Sequence, residues 1–134
     1  MSVGCVLDTD VLIGVLDDRD AHHRKAAKLV LALIEAGVPL HMSVVNYAEA
    51  LVRPSEDPET LRRVDSAIAA LGIDVAAPTV AMGRDAARLR RSISLADGFA
   101  LATALHLGAA VATFDQRVVK VLKSAGLERA RRPS

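Results

Sequence analysis

The stretch Val3-Gly4-Cys5-Val6-Leu7-Asp8-Thr9-Asp10-Val11-Leu12-Ile13 carries two opposed signals side by side. Residues 3–7 form a short apolar run containing β-branched Val, which reads as a strand of the core. That run stops at a carboxylate, Asp8. Residues 11–16 then read as a short helix, closed by the polar break Asp17-Asp18-Arg19-Asp20.

Working outward, the alternation repeats. Residues 21–36 place Ala26, Leu29, Val30, Leu33 and Ile34 at helical spacing, and Gly37 stops them. Residues 38–42 read as a second strand, and Ser43 is a natural N-cap for a helix over 44–52. Residues 54–58 form a turn, 59–71 a helix ended by Gly72, and 73–75 a minimal strand. Pro78 or Thr79 opens a helix to Arg91, and Ser94 caps another to Leu107, ended by Gly108. Residues 110–114 make a strand stopping at Asp115. A helix over 116–125, Gly126 and a short strand over 127–129 follow, and 129–134 is expected to be a loose basic tail. Neither a repeat nor a linker interrupts this order. The expectation is one α/β domain over 1–134, three layers deep, with a mostly parallel central sheet of about four to five short strands between helices.

Composition agrees. A chain of 134 residues and 14.1 kDa is the size of one domain. With 51% hydrophobic and 25% charged residues it is not a disordered chain. The 24 Ala, 17 Leu and 16 Val against two Phe, one Tyr and no Trp describe an aliphatic, helix-rich core. They offer no row of aromatics on which bases would stack. Seventeen basic against sixteen acidic residues give a net charge of +1, so any contact with nucleic acid needs a local patch. Thirteen of the seventeen are Arg, which suits forked phosphate contacts. Cys5 stands alone in an apolar run and fits a reducing compartment. The first basic residue is Arg19, which leaves no signal-peptide head, and the charge-free stretch 98–114 reads as buried helix plus strand. A cytoplasmic protein without a membrane segment is expected.

Four carboxylates stand among apolar residues without a local basic partner. Asp8 ends the first strand, and Glu49 is the only charged residue between Glu35 and Arg53. Asp97 is the only one between Arg91 and Asp115, and Asp115 ends Ala-Ala-Val-Ala-Thr-Phe. A buried carboxylate costs several kcal/mol unless paired or bound to a metal. Asp8 and Asp115 fall at carboxyl ends of strands, the edge where open α/β sheets bind ligands. If helices bring Glu49 and Asp97 to that edge, the site is all oxygen, which selects Mg²⁺ or Mn²⁺ over zinc. Capping accounts equally well for three of them: Asp8 and Asp115 each precede a helix, and Ser94-Leu95-Ala96-Asp97 matches a capping box. Glu49 lies beyond the first turn of its helix, where capping does not explain it.

Four segments in order resemble PIN-domain ribonucleases: Val6-Leu7-Asp8-Thr9-Asp10-Val11-Leu12-Ile13, Ser43-Val44-Val45-Asn46-Tyr47-Ala48-Glu49-Ala50-Leu51, Leu95-Ala96-Asp97-Gly98-Phe99-Ala100-Leu101-Ala102-Thr103-Ala104 and Ala112-Thr113-Phe114-Asp115. Their acids are separated by 41, 48 and 18 residues. Size and element order are similar to VapC-type toxins of bacterial toxin–antitoxin pairs over essentially the whole chain. Asp10, where such motifs often carry a small polar residue, and Gly98, an unusual helix former, depart from the pattern. The resemblance implies a divalent-metal-dependent endoribonuclease in which Asp8, Glu49, Asp97 and Asp115 hold one or two Mg²⁺ or Mn²⁺ ions. The ion would activate a water, and Asp97 or Glu49 would accept its proton. Thr9 and Thr113 would orient the neighbouring carboxylates, or are plain β-branched residues at strand ends. A homodimer and an antitoxin partner are also implied.

Arg84, Arg88 and Arg91 share one helix face and suit an RNA backbone, although a solvated face explains them better. The Arg129-Ala130-Arg131-Arg132 tail is a further, weaker candidate for RNA. Histidines with zinc-ligand spacing, a glycine-rich phosphate loop and a serine nucleophile elbow are all missing. Two alternatives stand beside the nuclease. Asp8-Thr9-Asp10 after a strand resembles the nucleophile motif of haloacid-dehalogenase-like phosphatases, which need a Lys that no strand end here supplies. A non-catalytic α/β signalling or interaction module is the other.

Overall fold

In the computed structural model, which describes residues 3–133, four short strands lie side by side: β1 (Cys5–Leu7), β2 (Leu40–Ser43), β3 (Asp74–Ala76) and β4 (Ala110–Ala112). Every pairing is parallel, in the order β3-β2-β1-β4. Parallel neighbours need a crossover, and helices supply each one. Helices α1 (Thr9–Leu16) and α2 (His23–Glu35) lead from β1 to β2, and α3 (Val44–Leu51) and α4 (Pro58–Ala70) lead from β2 to β3. Helices α5 (Val80–Leu89) and α6 (Leu95–Leu107) return to β4, and α7 (Gln116–Ser124) follows it.

The alternation of side chains along β1 builds the three layers. Cys5 and Leu7 pack with Val11, Leu12, Leu29 and Val30 of α1 and α2, while Val6 enters a second core with Ala100, Leu101, Val118 and Leu122 of α6 and α7. A strand covered on both faces is apolar throughout, which is why its sequence shows no polar alternation. Burial also pushes the Cys5 thiol up to about 12, leaving it an inert core residue. Gly98 has a packing reason: a Cβ there would meet the Ala86 Cα at 3.0 Å, so glycine lets α6 lie against α5.

The carboxyl end of the chain differs from expectation. The strand over 127–129 reduces to one parallel bridge, Val111 to Arg129, with the Val111 N–H on the Glu128 carbonyl (2.9 Å) and the Ala130 N–H on the Val111 carbonyl (2.8 Å). Arg129 also donates from Nη2 to the Thr113 carbonyl at 3.0 Å. The chain expected to be loose from 129 is therefore fastened to β4 through Arg129 and Ala130. Strand β4 is itself shorter than 110–114, because Thr113 and Phe114 leave the ladder to bond Asp8 and Asp10. Among the described residues no helix is long and apolar enough to cross a membrane.

The strand order fixes where a ligand can enter. Connections from β1 run first toward β2 and β3, and the chain returns on the other side at β4. Loops leaving the carboxyl ends of β1 and β4 part in opposite directions. They open a crevice at this switch point.

Candidate active site

Asp8 follows β1 directly and Asp115 stands just beyond β4, so both side chains border that crevice. The cleft has a volume of about 250 Å³ and is lined by Asp8, Thr9, Asp10, Ile13, Glu49, Asp97 and Asp115. All four acids singled out in the sequence thus reach one place, carried there by the β1–α1 turn, α3, α6 and the β4–α7 turn. Capping and cleft coincide rather than compete. Asp8 caps α1 by accepting from the Thr9 N–H, and Asp115 caps α7 by accepting from the Arg117 N–H. Ser94 accepts from the Asp97 N–H at 3.1 Å, which fixes the turn of α6 that presents Asp97. Among the described residues no bond returns from Asp97 to the Ser94 backbone, so the expected capping box is half made.

Asp8 is 1% exposed and fully engaged. Its Oδ1 accepts from the Thr9 N–H (3.0 Å) and Asn46 Nδ2 (3.4 Å), and its Oδ2 accepts from Thr113 Oγ1 (2.9 Å). None of these donors is a cation. Burial first, then the nearby Asp97 and Asp10 carboxylates, push its pKa up to about 8, so in the metal-free protein it is largely protonated at neutral pH. Asp10 is also raised, chiefly by burial. Its Oδ2 accepts from the Phe114 N–H at 3.0 Å, while its Oδ1 is buried without a partner among the described residues.

The expectation that all four acids sit in apolar surroundings without a basic partner needs correction. Arg117 donates to Asp115 from Nη2 (3.1 Å) and Nε (3.3 Å) and holds that carboxyl below its ordinary range. Glu49 is exposed and Asp97 half-buried, because Asn46 and Ala50 are the fully buried residues of α3 and apolar neighbours in sequence are not neighbours in space. Among the described residues no three His, Cys, Asp or Glu side chains stand close enough to enclose one ion. The acids line the walls of a cleft; they do not form a finished cage.

Thr113 donates to Asp8 and accepts from the Asp115 N–H at 3.1 Å, joining the two acids at the switch point. Thr9 accepts from Asn46 Nδ2 at 3.0 Å. Two members of the constellation were not picked out in the sequence. Asp10 departs from the motif in sequence, although an acid in the first helical turn after a buried strand already points at the same edge. Asn46 is fully buried and its Nδ2 spans Asp8, Thr9 and the Ala96 carbonyl (3.2 Å), tying α3 to α6. Its only signal was a polar residue three before Glu49 in an apolar helix. Arg84, Arg88 and Arg91 are exposed and do not line the cleft, and Arg88 is bonded to Asp85 at 2.8 Å. No lysine lines it either, so the aspartyl-phosphate alternative lacks its cation.

An open parallel α/β domain with an acidic crevice at its switch point is the class defined by these observations. The PIN domain family model matches residues 5–123, and the chain belongs to that family. Among solved structures it is similar to VapC20 of Mycobacterium tuberculosis, a sarcin-ricin loop cleaving toxin, at 16% identity and TM-score 0.72, covering 97% of this chain and 100% of that one. It is similar to a toxin–antitoxin complex from Klebsiella pneumoniae at 21% identity and TM-score 0.66, covering 84% and 88% of the two chains. VapBC-1 of nontypeable Haemophilus influenzae gives 17% identity, TM-score 0.68 and coverage of 93% and 95%. At such identities the likeness is one of fold. No curated protein sequence matches the chain.

Proposed function

We propose that this protein is a divalent-metal-dependent endoribonuclease, the toxin of a toxin–antitoxin pair, hydrolysing phosphodiester bonds in RNA. Convergence of Asp8, Glu49, Asp97 and Asp115 on one cleft carries the reading, joined by the unforeseen Asp10. The residues fit a hard dication. Every side-chain donor in the cleft is oxygen, as Mg²⁺ or Mn²⁺ requires. Asp8 is held neutral by burial and then by acid neighbours whose charge a cation would offset, and Asp10 Oδ1 is buried with no partner among the described residues. Asp8, Glu49, Asp97 and Asp115 would hold one or two such ions, directly or through water, and the metal when bound supplies a Lewis acid that lowers the pKa of a water and offsets charge on the phosphate.

The chain's own groups do the rest. Thr113 and Asn46 fix the Asp8 carboxylate from both sides, so its oxygens need little reorganisation. Arg117, largely exposed, keeps Asp115 ionised. Asp97, half-buried beside Asp8 and without a cationic partner among the described residues, is the group to take the proton of the attacking water. Toxin–antitoxin complexes among the similar folds support an antitoxin partner, and a homodimer is part of the same reading.

Labelled RNA incubated with the protein and Mg²⁺ or Mn²⁺ tests this. Internal cleavage that stops with EDTA is expected, and Asp8→Asn and Glu49→Gln should each lose it by about a hundredfold or more, the scale of removing a group that stabilises transition-state charge. Cleavage that persists in EDTA, or full activity in both variants, rejects the reading.

A further inference from the structure

A second concavity is walled in part by Phe114. It has a volume of about 480 Å³, and its walls carry Lys25, Lys28, Arg129, Arg131 and Arg132. These cations come from opposite ends of the chain. Lys25 and Lys28 share one face of α2, and the bridge to β4 brings the carboxyl-terminal arginines alongside. Among the described residues no carboxylate lines the groove and none of the five cations is in a salt bridge. A chain with a net charge of +1 thus gathers five cations in one place, without a counter-charge among the described residues.

We propose that this groove holds the phosphates of a single-stranded RNA flanking the bond to be cut, an inference that rests on the nuclease reading above. Phe114, which lines the groove, links it to the cleft through its backbone. Its ring stacks on His22 at 4.9 Å with Lys25 Nζ 5.5 Å from the ring centroid, and its backbone N–H holds Asp10 in the cleft. Its neighbour Asp115 lines the cleft itself. A strand whose reacting phosphate lies among the acids passes over Phe114 into the groove. The acidic cleft repels a polyanion, so the attraction that retains RNA must come from beside it. Arginine forks match phosphate oxygens in pairs, and lysine adds point charges.

Fluorescence anisotropy of a labelled single-stranded RNA, measured in EDTA over a range of salt, reads the contacts directly. In single strands each lost phosphate contact should reduce the slope of log K against log salt by about 0.7. Replacing Lys25, Lys28, Arg131 and Arg132 by Ala together should therefore flatten it by about 2–3 and weaken low-salt binding at least about tenfold. Arg131→Ala with Arg132→Ala, at exposed positions beyond the fastened Ala130, should give about half the change in slope. Unchanged slope and affinity overturn the proposal, as does wild-type protein that fails to bind. Retained RNA binding with loss of poly-L-glutamate binding also overturns it, making the groove a site for an acidic polypeptide. Cleavage with an unchanged slope removes the groove and keeps the nuclease. A flattened slope without any cleavage does the reverse.

Discussion

Burial under the β4 turn, with Asp97 and Asp10 close by, makes Asp8 costly to ionise, and the cost has a measurable sign. An acid whose pKa is higher folded than unfolded binds its proton more tightly in the native state. Below its unfolded pKa of about 3.9 that contribution is intact; stability then falls by up to about 1.4 kcal/mol per pH unit until the folded value near 8 is passed. The metal-free protein should therefore melt at a higher temperature at pH 5.5 than at pH 8. Asp8→Asn should remove most of that slope and raise the pH 8 melting temperature, leaving a smaller slope from Asp10, which is also raised. Equal slopes in wild type and variant would falsify this account of Asp8. Asp8 and Glu49 were legible as residues because an unmatched charge in an apolar run is visible in one dimension. Asn46 was not, since an amide attracts no notice until the three acceptors around it are known. The pairing of Arg117 with Asp115 is not legible in sequence because it depends on the cap geometry of α7.

Helices were the most legible elements, since periodic apolar faces and capping residues mark them. Strand ends were less so. The end of β4 is set by what Thr113 and Phe114 bond across the cleft, and the end of the chain by one bridge to Val111. Gly98 could be recognised as odd for a helix, but its cause lies in α5. Two glycines make the matched test. Ala at Gly83, on α5 with nothing within 4 Å of its Cβ, should stabilise by about 0.5–1 kcal/mol through helix propensity. The same change at Gly98 drives a Cβ into Ala86 backbone at 3.0 Å and should destabilise by about 1–3 kcal/mol. It should also reduce cleavage, because Asp97 sits on the displaced turn. Chemical denaturation of both variants decides it: a stabilising Gly98→Ala contradicts the close approach of α5 and α6.

At the scale of the whole molecule, one topological event produces the site. The sheet order β3-β2-β1-β4 brings together acids that are far apart along the chain, and the bridge to β4 sets residues 129–132 beside α2 to gather the basic groove. The acidic set could be anticipated because open parallel sheets place ligands at strand ends by a general rule. The groove could not, since it joins an ordinary exposed helix face to a segment that looked loose. An acidic cleft whose buried carboxyl is neutral near pH 7 should release its proton when a dication enters. Titration calorimetry of Mn²⁺ into the metal-free protein at pH 7, in buffers of different ionisation enthalpy, measures uptake and proton release together. The account predicts saturable binding with release of close to one proton, both lost in Asp8→Asn. Failure of the wild type to bind, or binding that Asp8→Asn leaves intact, would contradict it.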